Sequence, residues 1–591
     1  MRLNVLLLAA VAGLSPNLAQ AAQAAQMAQA APTTAKPAPA GKPAESPTAV
    51  EGVTVTSDST AMRTSIDRRS YSVANDLTAK TGSIADALRN IPSVEVDVQG
   101  NVSLRGGLDY DLDKKTRLSA EVRYRGMDYD SDIDETYEGR DAAGLVSRSY
   151  LRNSVARLKR DNSAISGDYR RQLGGAEHEL TSHAEYEFTQ FKRASTAFQD
   201  GIVTVPDQYE SFSFGASQAR ANWKLDYSKP LPGQAKFKTG LDFEAADNAY
   251  DNYGARGATQ TGQAVDPART NRFLYDQDVF ASYVTYERPF GDLTVQGGLR
   301  AEQVNIRTNQ ITSAQKNQND YFRLYPTLHA GYRVNDSNTF NANYSRRVQR
   351  PGPQDLNPYP IYQDPLNYRA GNPNLKPQVT DSFELGWQYR KGPAYYLATV
   401  YFRDTKDGVT DVVRSLGGGV LLTTRENLAK SRSGGLELVA NGRLTPKLTY
   451  NASANAFWNE IDAASLGFTG KRSGTTLSGR ANLNYQATPK DFFQANIFSS
   501  GKRLTPQGHR EPFKMLNLGY RRKVNDKLSF VATAQDVLDW FQDVVVTDTP
   551  TLRDNTRRTA NVRSVFVGFT YAFGGGKPRP EQFDFSAGGP G

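Results

Sequence analysis

The sequence has 591 residues, of which 38% are hydrophobic, and a mean hydropathy of −0.59. A composition this polar excludes a bundle of transmembrane helices, because each such helix needs about 20 consecutive apolar residues. Lys and Arg (71) outnumber Asp and Glu (62), which gives a net charge of +9. Both signs are interspersed along the chain, so we expect no nucleic-acid partner.

The first fifty residues have the layout of an export signal followed by a flexible segment. Arg2 precedes the apolar run from Val5 to Leu14, and small residues follow, which predicts a cleavable signal peptide over residues 1–21. Residues 22–50 are mostly Ala, Gln, Pro, Thr and Lys, and we expect them to be a flexible tether. The chain has no cysteine, so its stability after export must come from backbone pairing and packing.

A short β-prone run follows the tether and consists of Val53, Thr54, Val55 and Thr56. Such a run is suited to adding itself as a strand to the sheet edge of a partner. It could equally be the first strand of the domain that follows. Periodicity alone leaves both interpretations open.

Residues 83–106 combine a short helix with a strand pair. Ser83 and Asp86 have the spacing of a helix cap, Leu88 lies on the apolar face, and Pro92 ends the helix. The segment SVEVDVQGNVSLRG then alternates as two strands that turn at Gln99 and Gly100, and it ends in Leu104, Arg105 and Gly106.

From residue 107 to residue 574 the chain repeats a strict alternation of apolar and polar residues. In LTYNASANAFW, for example, Leu448, Tyr450 and Trp458 share one face, whereas Asn451 and Ser453 lie on the other. About nine short turns, such as FGDL and NDSN, alternate with longer polar segments such as YDSDIDETYEGRDAAG. Short connections at one end and long ones at the other are typical of an outer-membrane barrel. We therefore predict an all-β transmembrane fold.

Lipid contact explains why such a sheet must close. In a bilayer every backbone N–H and C=O must be paired, and a closed antiparallel barrel is the sheet that leaves no edge. The apolar faces then contact outer-membrane lipid, and strand arginines such as Arg480 point inward. The last strand, SVFVGFTYAF, ends on an aromatic residue, and residues 575–591 follow it as a tail.

The longest polar segment, residues 346–378, is the candidate substrate loop. Aromatic rings offer flat surfaces for sugars or aromatic chelates, and guanidinium groups offer positive charge. The candidate residues are Arg350, Tyr359, Tyr362, Tyr368 and Arg369. The alternative is that these residues only hold together a structured extracellular loop.

Three segments resemble the TonB-dependent outer-membrane receptors. They are GVTVTSDSTAMR followed by SIADALRNIPSVEVDVQGNVSLRG, the stretch from Tyr344 to Trp387 with its GNPNLKP motif, and RENLAKSRSGGLELVANG. The resemblance implies a TonB box at residues 53–56, a plug motif that includes Ser83, Asp86 and Leu104, and a last strand that is read by the barrel-insertion machinery. It also implies energised uptake, in which TonB pulls on the box and unseats the plug.

The join between the plug-like segment and the barrel departs from that family. Nine turns that each join two strands, plus a last strand, give about nineteen strands, whereas the family has 22 and a much longer plug. An odd count also places the start of the first strand, near Gly107, at the outer end. We therefore expect a truncated plug over residues 51–106, with three strands and most of the plug absent before residue 107. An incompletely closed, leaky channel is a further expectation.

No enzyme chemistry is indicated. Two of the four histidines, His178 and His183, have a spacing that puts them on opposite faces of a strand, and no nucleophile elbow occurs. We expect no metal site and no cofactor. The first hypothesis is a receptor for a bulky nutrient such as a siderophore-iron complex or an oligosaccharide. The alternatives are a passive porin-like channel or non-functional truncated paralogue, and an adhesive protein.

Overall fold

The computed structural model describes residues 62–64, 69–71, 102–140, 143–175, 177–364, 366–466, 470–549, 552–558 and 563–571, all within one compact unit, Ser57–Gly591. Several predicted features lie outside these residues and stay predictions. They are the signal peptide, the tether, the run Val53–Thr56, the helix motif with Ser83, Asp86, Leu88 and Pro92, the turn at Gln99 and Gly100, and the C-terminal tail.

Strands form almost all of the described structure. The nineteen principal strands are β3 (Val102–Asp113), β4 (Thr116–Arg140), β5 (Val146–Gln172), β6 (Glu179–Val203), β7 (Gln208–Leu231), β8 (Ala235–Gly257), β10 (Asn271–Phe290), β11 (Leu293–Gln310), β12 (Gln315–Asn335), β13 (Asn338–Gln349), β16 (Gln378–Lys391), β17 (Ala394–Gly417), β18 (Val420–Thr445), β19 (Leu448–Asp462), β20 (Lys471–Gln486), β21 (Asp491–Ser500), β24 (Phe513–Lys523), β25 (Leu528–Gln535) and β28 (Ser564–Tyr571).

Shorter elements lie before or between these strands. They are β1 (Met62–Thr64), β2 (Arg69–Tyr71), β9 (Ala264–Val265), β14 (Ile361–Asp364), β15 (Asn367–Arg369), β22 (Arg503–Thr505), β23 (Gly508–Arg510), β26 (Asp543–Asp548), β27 (Arg553–Arg558), the helix α1 (Pro353–Leu356) and the 3-10 turns Pro232–Gln234, Pro267–Arg269 and Ala464–Leu466. In the described part of the chain, no helix is both long enough and apolar enough to cross a bilayer.

The largest sheet contains 22 strands, and the nineteen principal ones follow each other in chain order as an antiparallel meander. The other three, β9, β14 and β15, are short strands from the connections, so β8 pairs directly with β10 and β13 with β16. Strands β22, β23, β26 and β27 form a separate four-stranded sheet, and β1 pairs with β2. The predicted antiparallel barrel fold and its strand number are confirmed.

The two ends of the meander differ largely as the sequence predicts. All nine predicted short turns join consecutive strands at one end, for example Gly291 and Asp292 between β10 and β11, but the opposite end also holds a two-residue turn, residues 418–419 between β17 and β18. Gly291 has a φ of 64°, a conformation in which a side chain would be strained, so glycine suits this tight turn. We call this the turn end and the opposite one the outer end.

The two faces of the strands also divide as predicted. Large apolar side chains such as Leu328, Leu385 and Leu477 are exposed on one face and form a band near the turn end. This is the arrangement of a lipid-facing surface. Arg480 lies on the opposite face, where its guanidinium is 5.7 Å from the ring centroid of Phe498.

One predicted outer loop is wrong. The acidic segment YDSDIDETYEGRDAAG was expected to be a loop, but β4 continues through it to Arg140 and pairs with β5 almost to the tip. Pairing between β4 and β5 satisfies the hydrogen bonds of the backbone groups beyond the apolar band. The rings of Tyr137 and Tyr150, which lie opposite each other in this pair, stack with their centroids 5.0 Å apart. Much of the polar length at the outer end is therefore strand.

The first principal strand, β3, runs through the predicted boundary between the plug and the barrel at residues 106 and 107. Leu104, Arg105 and Gly106 belong to β3, which continues to Asp113 and pairs with β4 throughout. The alternation before Gly107 continues after it, so no element ends at the predicted boundary between plug and barrel. The deletion itself stays a prediction.

The two end strands of the meander run in the same direction. Both β3 and β28 start at the outer end and finish at the turn end, and they follow each other in the strand order. Both are strongly exposed, with Leu108 at 71% and Val565 at 73% of their maximal exposure.

Candidate functional site

Residues 350–377, between β13 and β16, turn onto the inner face of the sheet; we call them the 350–377 loop. The loop begins with α1, where Pro353 occupies the first turn and the Asp355 carboxylate accepts a hydrogen bond from the Gly352 N–H at 2.9 Å. Leu356 and Leu375 are 1% and 4% exposed and pack in one cluster with inward residues of β7, β8, β10 and β11. Apolar packing therefore holds the loop against the wall.

Polar contacts fasten the same part of the loop to β11. Arg350 forms an ion pair with Glu302, a carboxylate that is buried in the wall. Gln310 donates a hydrogen bond from Nε2 to Asn357 Oδ1 at 2.8 Å, and both side chains are buried. These groups need such partners, because an unpaired buried polar group costs about 1–3 kcal/mol.

The distal part of the loop is fastened to β18. Its short strand β15 pairs in parallel with β18, and the Ala370 N–H donates to the carbonyl of Thr423 at 3.0 Å. Asn427 of β18 accepts from the Lys376 N–H at 2.8 Å.

Glu210 of β7 is the central polar residue of the site. Its carboxylate is 4% exposed and accepts three hydrogen bonds from three different parts of the chain. Arg269 Nη1 donates at 2.8 Å, Arg152 Nη2 at 3.0 Å and the Tyr362 hydroxyl at 2.9 Å. Two guanidinium groups and a phenol compensate the buried charge, and they join the loop to β5, to β7 and to the turn Pro267–Arg269.

Tyr362 is held on both of its sides. The Arg269 guanidinium lies 3.6 Å from the centroid of its ring, a cation–π contact. Burial, together with the negative charge of Glu210, raises the pKa of the Tyr362 hydroxyl. The hydroxyl therefore keeps its proton and remains a donor to Glu210.

A cavity of about 350 Å³ lies between the loop and the inner wall at the outer end. Its wall carries Arg152, Arg193, Phe191 and Phe214, and its loop side carries Ile361, Tyr362, Gln363 and Arg369. A cavity with apolar and aromatic surface and a few convergent polar groups is what small-molecule sites generally offer. Because both the loop and the wall line it, the cavity depends on the docked position of the loop.

Only two of the five residues predicted for the substrate loop line this cavity. Tyr362 and Arg369 line it, and the Arg369 guanidinium also lies 3.5 Å from the Asp411 carboxylate. Tyr368 packs edge-on against the Tyr362 ring at 5.8 Å. Tyr359 donates to the carbonyl of Pro267 at 2.6 Å, and Arg350 is bound to Glu302, so both anchor the loop.

Sequence reasoning missed the wall half of the site. Arg152, Arg193, Glu210 and Arg269 come from separate strands and a turn. The strand residues share their side of the strand with apolar residues, as Glu210 does with Phe212 and Phe214, so the local alternation offers no signal for them. These residues come together because distant segments pair, and that pairing cannot be predicted from the sequence of a single strand.

The comparisons with known proteins agree with the fold. A family model described as the outer membrane protein beta-barrel family matches residues 171–571. Among solved structures, FpvA of P. aeruginosa bound to heterologous pyoverdines matches with a TM-score of 0.54 at 13% identity, covering 80% of this chain and 64% of that one. The family match and the structural match therefore confirm the outer-membrane barrel fold that the sequence predicts.

Two further solved structures match over similar lengths. The copper transporter OprC has a TM-score of 0.49 at 14% identity, with 80% of each chain covered. The ferric yersiniabactin uptake receptor FyuA of Yersinia pestis has a TM-score of 0.46 at 12% identity, covering 79% of this chain and 78% of that one.

Proposed function

This chain belongs to the outer membrane protein beta-barrel family, and on that premise we propose that it is a TonB-dependent receptor for the uptake of a bulky nutrient, without enzyme activity. The nutrient is of the class of siderophore-iron complexes or oligosaccharides. TonB would act on the box at Val53, Thr54, Val55 and Thr56, and the barrel-insertion machinery would read the last strand.

The cavity at the outer end carries this proposal. It lies on the inner face, where a ligand from outside the cell would first meet the barrel, and it is lined by both the wall and the 350–377 loop. A loop anchored by Tyr362, Leu356 and Arg350 provides a fixed surface for a ligand, which lowers the entropic cost of binding.

Deletion of residues 53–56 tests the energised step. Cells that express the deletion variant should retain binding of the nutrient but lose its accumulation, measured with a panel of radiolabelled ferric chelates and maltooligosaccharides. A deletion of equal length in the tether, residues 36–39, is the matched control and should leave accumulation unchanged. Equal accumulation by both variants would contradict energised uptake.

A passive channel is the second candidate, and one observation favours it. Leu104, Arg105 and Gly106 of the predicted plug motif are part of β3, so they form wall rather than plug. A passive channel conducts ions in planar bilayers without TonB, and deletion of residues 53–56 leaves its permeation unchanged. A receptor whose lumen is closed shows no steady conductance in the same bilayers.

A further inference from the structure

Three arginines form a diagonal row across neighbouring strands at the foot of the cavity; we call them the arginine stripe. They are Arg125 of β4, Arg160 of β5 and Arg193 of β6. Arg160 lies opposite Phe191, two residues from Arg193, and opposite Met127, two residues from Arg125. Diagonal neighbours in an antiparallel sheet are about 7–8 Å apart, so side chains as long as arginine can reach one ligand together.

The stripe lies on the inner face. Arg160 shares its side of β5 with the buried residues Ala156 and Ala164, whereas Val155 and Ile165 on the other side are exposed. Side chains alternate along a strand, so the three guanidinium groups point away from the lipid-facing surface. Arg160 and Arg193 are exposed and Arg125 is half-buried, so an incoming solute can reach them.

The charges of the stripe are not neutralised within the described residues. None of the three guanidinium groups has a carboxylate within ion-pair distance there, and no described Asp or Glu occupies a position directly or diagonally opposite to them. Neighbouring arginines are paired: Arg123 binds Glu185 at 3.3 Å, and Arg157 binds Asp128 at 2.9 Å. Like charges on adjacent strands repel, and an anion placed between them would relieve that repulsion.

Apolar surface lies beside the uppermost arginine. Arg193 lines the cavity together with Leu158, Phe191 and Phe214, and the two phenylalanine rings are 5.5 Å apart in an edge-on arrangement. A ligand there meets a guanidinium group and an aromatic surface at once.

We propose that the arginine stripe binds a small organic polyanion, whose carboxylate or phosphate oxygens accept hydrogen bonds from the guanidinium groups. Arginine suits both oxyanions because its planar fork matches two of their oxygens. This proposal rests on the proposed function in one respect, namely that the ligand passes along the inner face of the barrel. It favours an anionic chelate over a neutral oligosaccharide as the solute.

Titration calorimetry on the purified, detergent-solubilised full chain tests the proposal, with citrate, fructose 1,6-bisphosphate and neutral sucrose as probes at low ionic strength. Citrate or the bisphosphate should bind, and the stronger of the two identifies the preferred oxyanion. Each of Arg160→Gln and Arg193→Gln should weaken that binding about 10-fold, the loss of one charged hydrogen bond. Sucrose should not compete.

Arg157→Gln is the matched control, because Arg157 lies on the same strand but on the opposite face and is 69% exposed. Arg157→Gln should leave the affinity for the anion unchanged. Arg160→Lys should retain part of the affinity. Equal weakening in Arg157→Gln and Arg160→Gln, unchanged affinity in both stripe variants, or sucrose binding as tight as citrate binding would overturn the proposal. Deletion of residues 53–56 should not alter anion binding, so this result is independent of energised uptake.

Discussion

The hydroxyl of Tyr362, in the 350–377 loop, donates a hydrogen bond of 2.9 Å to the buried carboxylate of Glu210 in β7. Seven principal strands separate β7 from β18, the strand that holds the distal part of the same loop. The loop is thus bound at two distant places of the inner wall, and its docking can be tested at each contact.

Tyr362→Phe should weaken the docking of the loop by about 1–3 kcal/mol, because a hydrogen bond to a charged group is lost while the ring stays over Arg269. Hydrogen exchange of the Ala370 N–H, which donates to Thr423, reports the docking. Tyr359→Phe removes a hydroxyl that donates to an uncharged acceptor, the carbonyl of Pro267, and should change exchange less. Faster exchange in the Tyr359 variant than in the Tyr362 variant would contradict this assignment.

Glu210→Gln should destabilise the outer end by about 1–3 kcal/mol, because Arg152 and Arg269 would lose the buried carboxylate that they share and keep only Glu135 and Asp266 as their respective partners. Glu135→Gln is the control: Glu135 is 37% exposed and binds Arg152 alone, so about 1 kcal/mol or less is expected. Thermal unfolding and exchange in β5 and β7 measure the difference. Equal losses in the two variants would show that Glu210 is not the central residue.

Leu356→Ala should cost about 2–5 kcal/mol of loop docking, because a fully buried side chain is replaced by a cavity. Leu416→Ala, at an outer tip where the side chain is 57% exposed, should change stability by less than about 0.5 kcal/mol. Protease cleavage within the 350–377 loop is the measurement. A loop that stays protected in the Leu356 variant would mean that polar anchors alone suffice.

Leu328→Arg should reduce the stability of the barrel in lipid vesicles by about 2–4 kcal/mol, because Leu328 is exposed on the lipid-facing side. Thr327→Arg places the same charge one residue earlier, on the inner face, and should be tolerated better. Urea titration of the folded, heat-modifiable form on gels measures both. A larger loss for the Thr327 variant would reverse the assignment of the two faces.

The meander could be predicted from the sequence because its signals are local. Alternation with a period of two identifies each strand and its lipid-facing side, as at Leu477 and Arg480, and short turns with Gly, Pro, Asn or Asp mark one end. The outer extension of β4 was not predictable in this way. Its Asp and Glu residues suggest a loop by composition, whereas the pairing with β5 keeps the segment extended beyond the membrane.

The site could be predicted only on its loop side. Tyr362 and Arg369 could be predicted as ligand-binding candidates because they lie in one long polar segment. Glu210, Arg152 and Arg193 each look like ordinary polar positions of amphipathic strands, and only the order of the strands and the fold of the loop bring them together. The anchoring role of Arg350 likewise depends on Glu302, 48 residues earlier.

The shared direction of β3 and β28 limits how this protein can change in evolution. Duplication or loss of hairpins adds or removes strands in pairs, so no series of such events converts the nineteen principal strands of the described structure into an even-numbered ring. An ancestor with an even number must have differed by an odd number of strands, which requires a break within a hairpin. Such a break leaves every existing strand pair intact only if it occurs beside β3 and β28, the two end strands.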